Sequence, residues 1–224
     1  MLSKSALVPL LALAIAAGCQ SGRTGYERAS TTSRRIAAYR DNADRLREQI
    51  GLTIGSLQTL AQSPNVAPRS SAETFQTFER ELANLEDLAA SSRKLYGKMD
   101  ARAQEFFGKW IEESATIENA DLERRADERR EAVQASYKKI AEQRLPTDQA
   151  LARLLDELGD LRTYLEQDLT APGLASAKDL IEKASQESAR VQELLSEITQ
   201  AADAAREALA PMEAQAAVTE GKPR

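Results

Sequence analysis

Residues 34–60 read RRIAAYRDNADRLREQIGLTIGSLQTL, and their apolar positions decide the fold class. Ile36, Tyr39, Ala43, Leu46, Ile50, Thr53, Leu57 and Leu60 recur at alternating intervals of three and four. That spacing draws one stripe along an α-helix, the pattern of a helix packed lengthwise on another. Ser63-Pro64 and Pro68 predict where it stops, because proline has no amide hydrogen for the helical ladder. Gly51 and Gly55 lie inside this stretch, and each weakens it by about 1 kcal/mol relative to alanine.

Working outward, Phe75, Phe78, Leu82, Leu85, Ala89, Ser92, Tyr96, Met99, Ala103, Phe106 and Trp110 repeat the spacing, and Leu88, Leu95, Phe107 and Ile111 widen the stripe. A helix this broad on its apolar side is expected to touch more than one neighbour. Between Glu118 and Glu131 the apolar surface thins to Ala120, Leu122 and Ala126. Val133, Tyr137 and Ile140 then resume in a shifted phase before Pro146. The reading is one helix over 71–143, roughly 110 Å long if unbroken, with a kink or phase slip near Asn119.

A third helix, capped by Thr147 after Pro146, carries Leu151, Leu154, Leu155, Leu158, Leu161, Leu165 and Leu169, and Ala171-Pro172-Gly173 is expected to stop it. A fourth, from about 174 to 209, uses Ala177, Ile181, Ala184, Ser188, Val191, Leu195, Ile198, Ala202, Ala205 and Leu209. Short connections fold consecutive helices back antiparallel. The expected fold is therefore all-α: an elongated antiparallel, coiled-coil-like bundle of about four helices. Helix one is expected on the first half of helix two, and helices three and four on its second half.

Composition agrees. Of 224 residues 42% are hydrophobic, 29% charged and only 4% aromatic, which leaves few of the residues that strands favour. The absence of histidine removes imidazole bases and histidine metal ligands. The single cysteine excludes a disulfide framework and multi-cysteine metal sites.

That cysteine ends the segment MLSKSALVPLLALAIAAGC, residues 1–19. Lys4 precedes a stretch of about a dozen apolar residues, the form of a secretory signal and short of the roughly 20 residues that span a bilayer. Ala16-Ala17-Gly18-Cys19 resembles a bacterial lipobox, with Ala16 where leucine is commoner. The resemblance implies cleavage before Cys19 and fatty acylation of that residue, and two or more acyl chains anchor stably where one is marginal. Gln20 and Ser21 lack the aspartate that resembles an inner-membrane retention signal, which points to the outer membrane facing the periplasm. The expected organisation is a signal peptide at 1–18, a lipidated flexible tether at 19–33, the bundle at 34–210 and a disordered tail at 211–224. Loss of Lys4 takes the formal charge from −5 to −6. An acidic body stands off an anionic membrane, and nucleic acid is not expected as a partner.

Side chains with chemical potential are numerous but scattered. Glu112, Glu113, Asp127, Glu128, Asp156, Glu157 and Asp160 read as solubilising charges, because an acid–base pair needs a desolvated cleft. No EF-hand spacing, phosphate loop or nucleophile elbow occurs. Arg124, Arg125, Arg129 and Arg130 interleave with acids as i,i+4 pairs on a solvated face. Phe106, Phe107 and Trp110 form the candidate core layer or partner patch, with core favoured; as a core residue, Trp110 truncated to alanine would cost about 3–5 kcal/mol. No catalytic residue, cofactor or metal is expected.

Residues 106–140, FFGKWIEESATIENADLERRADERREAVQASYKKI, and 164–176, YLEQDLTAPGLAS, resemble the uncharacterised bacterial family DUF2959. The likeness rests on an aromatic-x-x-x-Trp-x-x-Glu stretch at Phe106, Trp110 and Glu113. It continues in Asn-Ala-x-Leu at Asn119, Ala120 and Leu122, the arginine-rich run, Tyr137, and Leu165 with Leu169. It covers roughly residues 30–205 and departs at Glu166-Gln167, where a Lys-His pair would be expected. The resemblance implies a helical, envelope-associated protein and transfers no catalytic residue. The function expected is a lipid-anchored periplasmic spacer or interaction module, binding a protein partner or itself. The alternative is a small-ligand or lipid-binding module opening around the aromatic layer, and an enzyme is the least supported reading.

Overall fold

The structure, a computed structural model, describes residues 24–62 and 68–220, with side-chain surroundings for 24–62 and 71–210. The signal segment 1–18, Cys19 and the last four residues lie outside the described residues. Four helices follow one another: α1 (Gly25–Ala61), α2 (Pro68–Ser114), α3 (Ala120–Gln167) and α4 (Ala171–Glu220). Among the described residues there is no strand, and the fold is the expected all-α bundle.

Cross-helix bonds fix the register of neighbouring helices. Gln49 Nε2 donates to the Glu81 carbonyl at 3.0 Å, and Thr53 Oγ1 to the same oxygen at 3.1 Å, fixing α1 against α2. Arg40 meets Asp203 at 3.3 Å and Gln58 reaches Ser185 at 3.0 Å, so α4 runs antiparallel along the other side of α1. Arg129 donates to the Ala208 carbonyl at 2.9 Å, and Lys183 pairs with Glu157, joining α3 to α4. The result is an up-down-up-down ring of four helices in which α1 contacts α2 and α4, and the α2–α3 contact is the slightest. This corrects the expected arrangement, in which the helix over 71–143 was central: α1 packs between α2 and α4.

The tether expected at 19–33 is also corrected over residues 25–33, which are helical. Helix α1 begins nine residues before the stretch that first looks helical. Thr24 and Glu27 form a capping box, the Thr24 N–H donating to Glu27 Oε2 at 2.7 Å and the Glu27 N–H to Thr24 Oγ1 at 3.4 Å. Arg28, Ala29, Thr32 and Ser33 are buried and carry the apolar stripe upstream of Ile36. Their side chains are small or polar, so hydropathy hides the periodicity. The disordered tail is likewise corrected over 211–220, which continue α4. Its alanine, glutamate and glutamine residues are strong helix formers.

The expected helix over 71–143 is two helices. The chain does more than kink at Asn119: α2 ends at Ser114, and α3 restarts at Ala120 in the opposite direction. Asn119 Oδ1 accepts from the backbone N–H groups of Asp121 and Leu122 at 3.0 and 3.1 Å, an N-cap that explains why the break falls there. Pro146 conversely does not end a helix, since α3 runs through it. Ile140, Thr147, Ala150, Leu151 and Leu154 are all buried on one side of α3, and that shared burial holds the helix together across the proline. Thr147 is no N-cap; its hydroxyl donates to the Gln143 carbonyl at 2.7 Å.

An exposed proline inside a helix costs about 3 kcal/mol relative to alanine, partly offset by the entropy it removes from the unfolded chain. Pro146→Ala is therefore expected to stabilise the protein by about 2 kcal/mol, read as a higher melting temperature by circular dichroism. A lower melting temperature would show that the ring of Pro146 packs in a way alanine cannot replace.

The α3–α4 turn is built on Asp168, whose carboxylate accepts the Thr170 N–H at 3.1 Å and the Thr170 hydroxyl at 2.5 Å. These bonds hold its carboxyl below the usual range. Thr170 Oγ1 in turn accepts from the Gly173 N–H at 3.3 Å and caps α4. Ala171-Pro172-Gly173 thus opens a helix, since the missing amide hydrogen of proline is harmless in a first turn. A Cβ on Gly173 would collide with the Asp168 carbonyl, so only glycine fits this turn.

Candidate functional site

The aromatic residues singled out in sequence gather near the C-terminal end of α2, at the end of the bundle where α1 starts and α2 turns into α3. Phe106 and Phe107 are core residues, 1% and 7% exposed, whereas Trp110 is half-buried against them. The Phe106 ring meets Phe107 at 5.2 Å and Trp110 edge-on at 5.4 Å, and Phe107 reaches Tyr137 of α3 at 5.9 Å. The cluster is thus core on one side and wall on the other.

What it walls is a pocket of about 230 Å³. Phe106, Trp110, Ile117 and Ala126 supply apolar lining, and Gly25, Arg28, Glu113 and Ser114 complete it. The Arg28 guanidinium pairs with Glu113 across the α1–α2 seam. The Arg28 side chain is 9% exposed and that of Glu113 56%. Ser114 is buried, and its Oγ finds no hydrogen-bond partner among the described residues. Sequence reading missed this site because Gly25 and Arg28 were assigned to the tether. The Thr24-x-x-Glu27 capping box was the signal that would have revealed them.

A second cluster, also missed, lies deeper between α1, α2 and α3. Tyr39 packs edge-on against Tyr96 at 5.6 Å, and the Arg144 guanidinium sits 4.1 Å above the Tyr96 ring while pairing with Asp148 at 3.1 Å. The Tyr137 hydroxyl donates to Asp100 at 3.0 Å, and Gln104 donates to the other Asp100 oxygen at 2.7 Å. Burial pushes all three phenols up, Tyr39 and Tyr137 strongly. Asp148 adds to the rise at Tyr39, and the hydrogen bond to Asp100 adds to it at Tyr137. Burial favours the neutral phenols, and the cluster ties three helices together through the Tyr39–Tyr96 ring contact, the Arg144 guanidinium over Tyr96 and the bond that Tyr137 donates to Asp100. All three occupy ordinary stripe positions, so spacing alone could not separate them from apolar core.

The remaining expectations fall on the surface. Arg124 pairs with Glu128 at 2.6 Å on the solvated face, while Arg130, largely buried, pairs with Asp127 at 3.3 Å. Glu157 binds Lys183, and Glu112 binds Lys109 at 2.5 Å. Among the described residues no group of three or more His, Cys, Asp or Glu is placed to hold a metal ion, and no helix is long and apolar enough to cross a membrane. The large exposed apolar residues Leu52, Ile111, Leu122 and Leu145 are scattered, while Tyr164 and Leu180 share a groove between α3 and α4.

No curated protein and no solved structure matches the chain. A family model described as a protein of unknown function, DUF2959, matches residues 21–212. That span takes in the whole capping box at Thr24, the aromatic layer, the Asn119 cap and nearly all of α4. The chain belongs to the DUF2959 family.

Proposed function

We propose that the protein is a lipid-anchored, non-catalytic helical module of the bacterial cell envelope, a spacer that presents its polar faces to a partner protein in the periplasm. The observation that carries this reading is Cys19, the only cysteine, at the end of an apolar segment and five residues before the Thr24 cap. Five extended residues reach at most about 18 Å. The anchor would therefore hold the α1 start and the α2–α3 turn close to the bilayer, while α2, of 47 residues, carries the far end roughly 70 Å away. Single exposed apolar side chains on an otherwise charged exterior suit polar contacts with a partner better than a continuous self-association seam.

Cys19→Ser tests the anchor. Wild-type protein is expected in the membrane fraction after high-salt washing, and the variant is expected soluble or unprocessed. A variant that is cleaved yet still resists the salt wash would overturn the lipid anchor. Crosslinking in native envelopes, followed by pull-down, identifies the partner.

A further inference from the structure

The pocket beside Trp110 joins an apolar floor to a polar corner. Buried hydroxyls are ordinarily hydrogen-bonded, yet Ser114, 4% exposed, leaves its Oγ without a partner on the pocket wall. Beside it stands the Arg28 guanidinium, a buried cation matched by a carboxylate on a largely exposed side chain, Glu113. Gly25 brings the positive end of the α1 dipole to the same corner. The other carboxylate nearby, Glu27, is engaged by the Thr24 N–H. Opposite lie Phe106, Trp110, Ile117 and Ala126. At roughly 30 Å³ per methylene-sized group, the volume one water takes in the liquid, 230 Å³ holds about eight such groups.

We propose that this pocket binds a single-chain carboxylate of about eight carbons. Its head group takes the place of the Glu113 carboxylate on Arg28 and accepts the free Ser114 hydroxyl, and its alkyl chain lies on Phe106, Trp110, Ile117 and Ala126. Arg28 and Ser114 select an anion over an alcohol or an amine, and the limited volume of about 230 Å³ favours a short chain. The site goes beyond the spacer reading and does not depend on acylation of Cys19.

Trp110 is the only tryptophan, so its emission reports this pocket alone. Octanoate titrated into the full-length protein is expected to give a saturable change in Trp110 emission, with 1-octanol at least tenfold weaker and octyltrimethylammonium without effect. Ser114→Ala is expected to weaken octanoate several-fold, and Ala126→Leu to abolish binding by filling the space. Glu113→Gln removes the internal competitor from an exposed position and is expected to tighten binding about tenfold. A merely structural ion pair would not produce that gain. Unchanged emission up to millimolar octanoate would overturn the proposal, as would octanol binding as tightly as octanoate with no effect of Glu113→Gln.

Discussion

Phe106→Ala is expected to destabilise the bundle by about 3–5 kcal/mol, the cost of removing a fully buried aromatic ring. Phe106 is 1% exposed and touches both Phe107 and Trp110. Through Phe107 the same layer reaches Tyr137, one of few links across the slight α2–α3 contact. Losing the ring therefore weakens the side of the bundle with least packing in reserve. Trp110→Ala is expected to cost only about 1–2 kcal/mol, because Trp110 is half-buried and one of its faces lines the pocket. Urea unfolding followed by circular dichroism separates the two. Equal losses would place Trp110 in the core, and a loss below 1 kcal/mol for Phe106→Ala would mean that the layer collapses around the vacancy.

That difference between Phe106 and Trp110 shows what periodicity can and cannot tell. The stripe from Ile36 to Leu60 names its buried face correctly because every member is apolar or, like Thr53, bonded to its own helix and to α2. The same rule gives Phe106 and Trp110 equal status, since both fall on the stripe. Helix ends decide between them. Trp110 lies one turn from Ser114, where α2 stops and covering neighbours run out. The ends were the least legible features: Thr24 caps α1 within a polar stretch, and Pro146 sits mid-helix because burial on either side outweighs its local cost. The pocket was illegible for the same reason. It is made where three helix ends converge, and one of those ends had been read as tether. The Tyr39–Tyr96–Tyr137 cluster escaped differently, because spacing does not distinguish a phenol that donates a proton from a ring that only packs.

Raising the pH above 10 is expected to unfold the protein with a steepness set by Tyr39 and Tyr137. Both phenols are buried, and both have pKa values pushed well above their ordinary range by desolvation, with Asp148 and Asp100 respectively opposing a second negative charge. Arg144 and Ser92 pull Tyr39 the other way without reversing the shift. Below pH 10 these tyrosines are protonated in the folded and unfolded chain alike, and the stabilisation of the neutral form is fully present. Above it the unfolded chain releases protons that the fold retains, so stability falls as pH rises. A tyrosine with an unfolded pKa of about 10 that stays protonated in the fold loses roughly 2.7 kcal/mol by pH 12, and two lose about 5. That is comparable with the whole stability of many domains. Absorbance at 295 nm and helical circular dichroism, followed together, are expected to show a phenolate step coincident with helix loss. Tyr137→Phe gives up the bond to Asp100, at a cost of about 1–2 kcal/mol at pH 7, but removes one of the two coupled protons. Its stability curve should therefore fall less steeply and cross above that of the wild type before pH 12. If every phenol ionises while the helical signal stays intact, the three-helix tyrosine cluster is solvated rather than buried, and Asp100 holds α3 to α2 through something other than Tyr137.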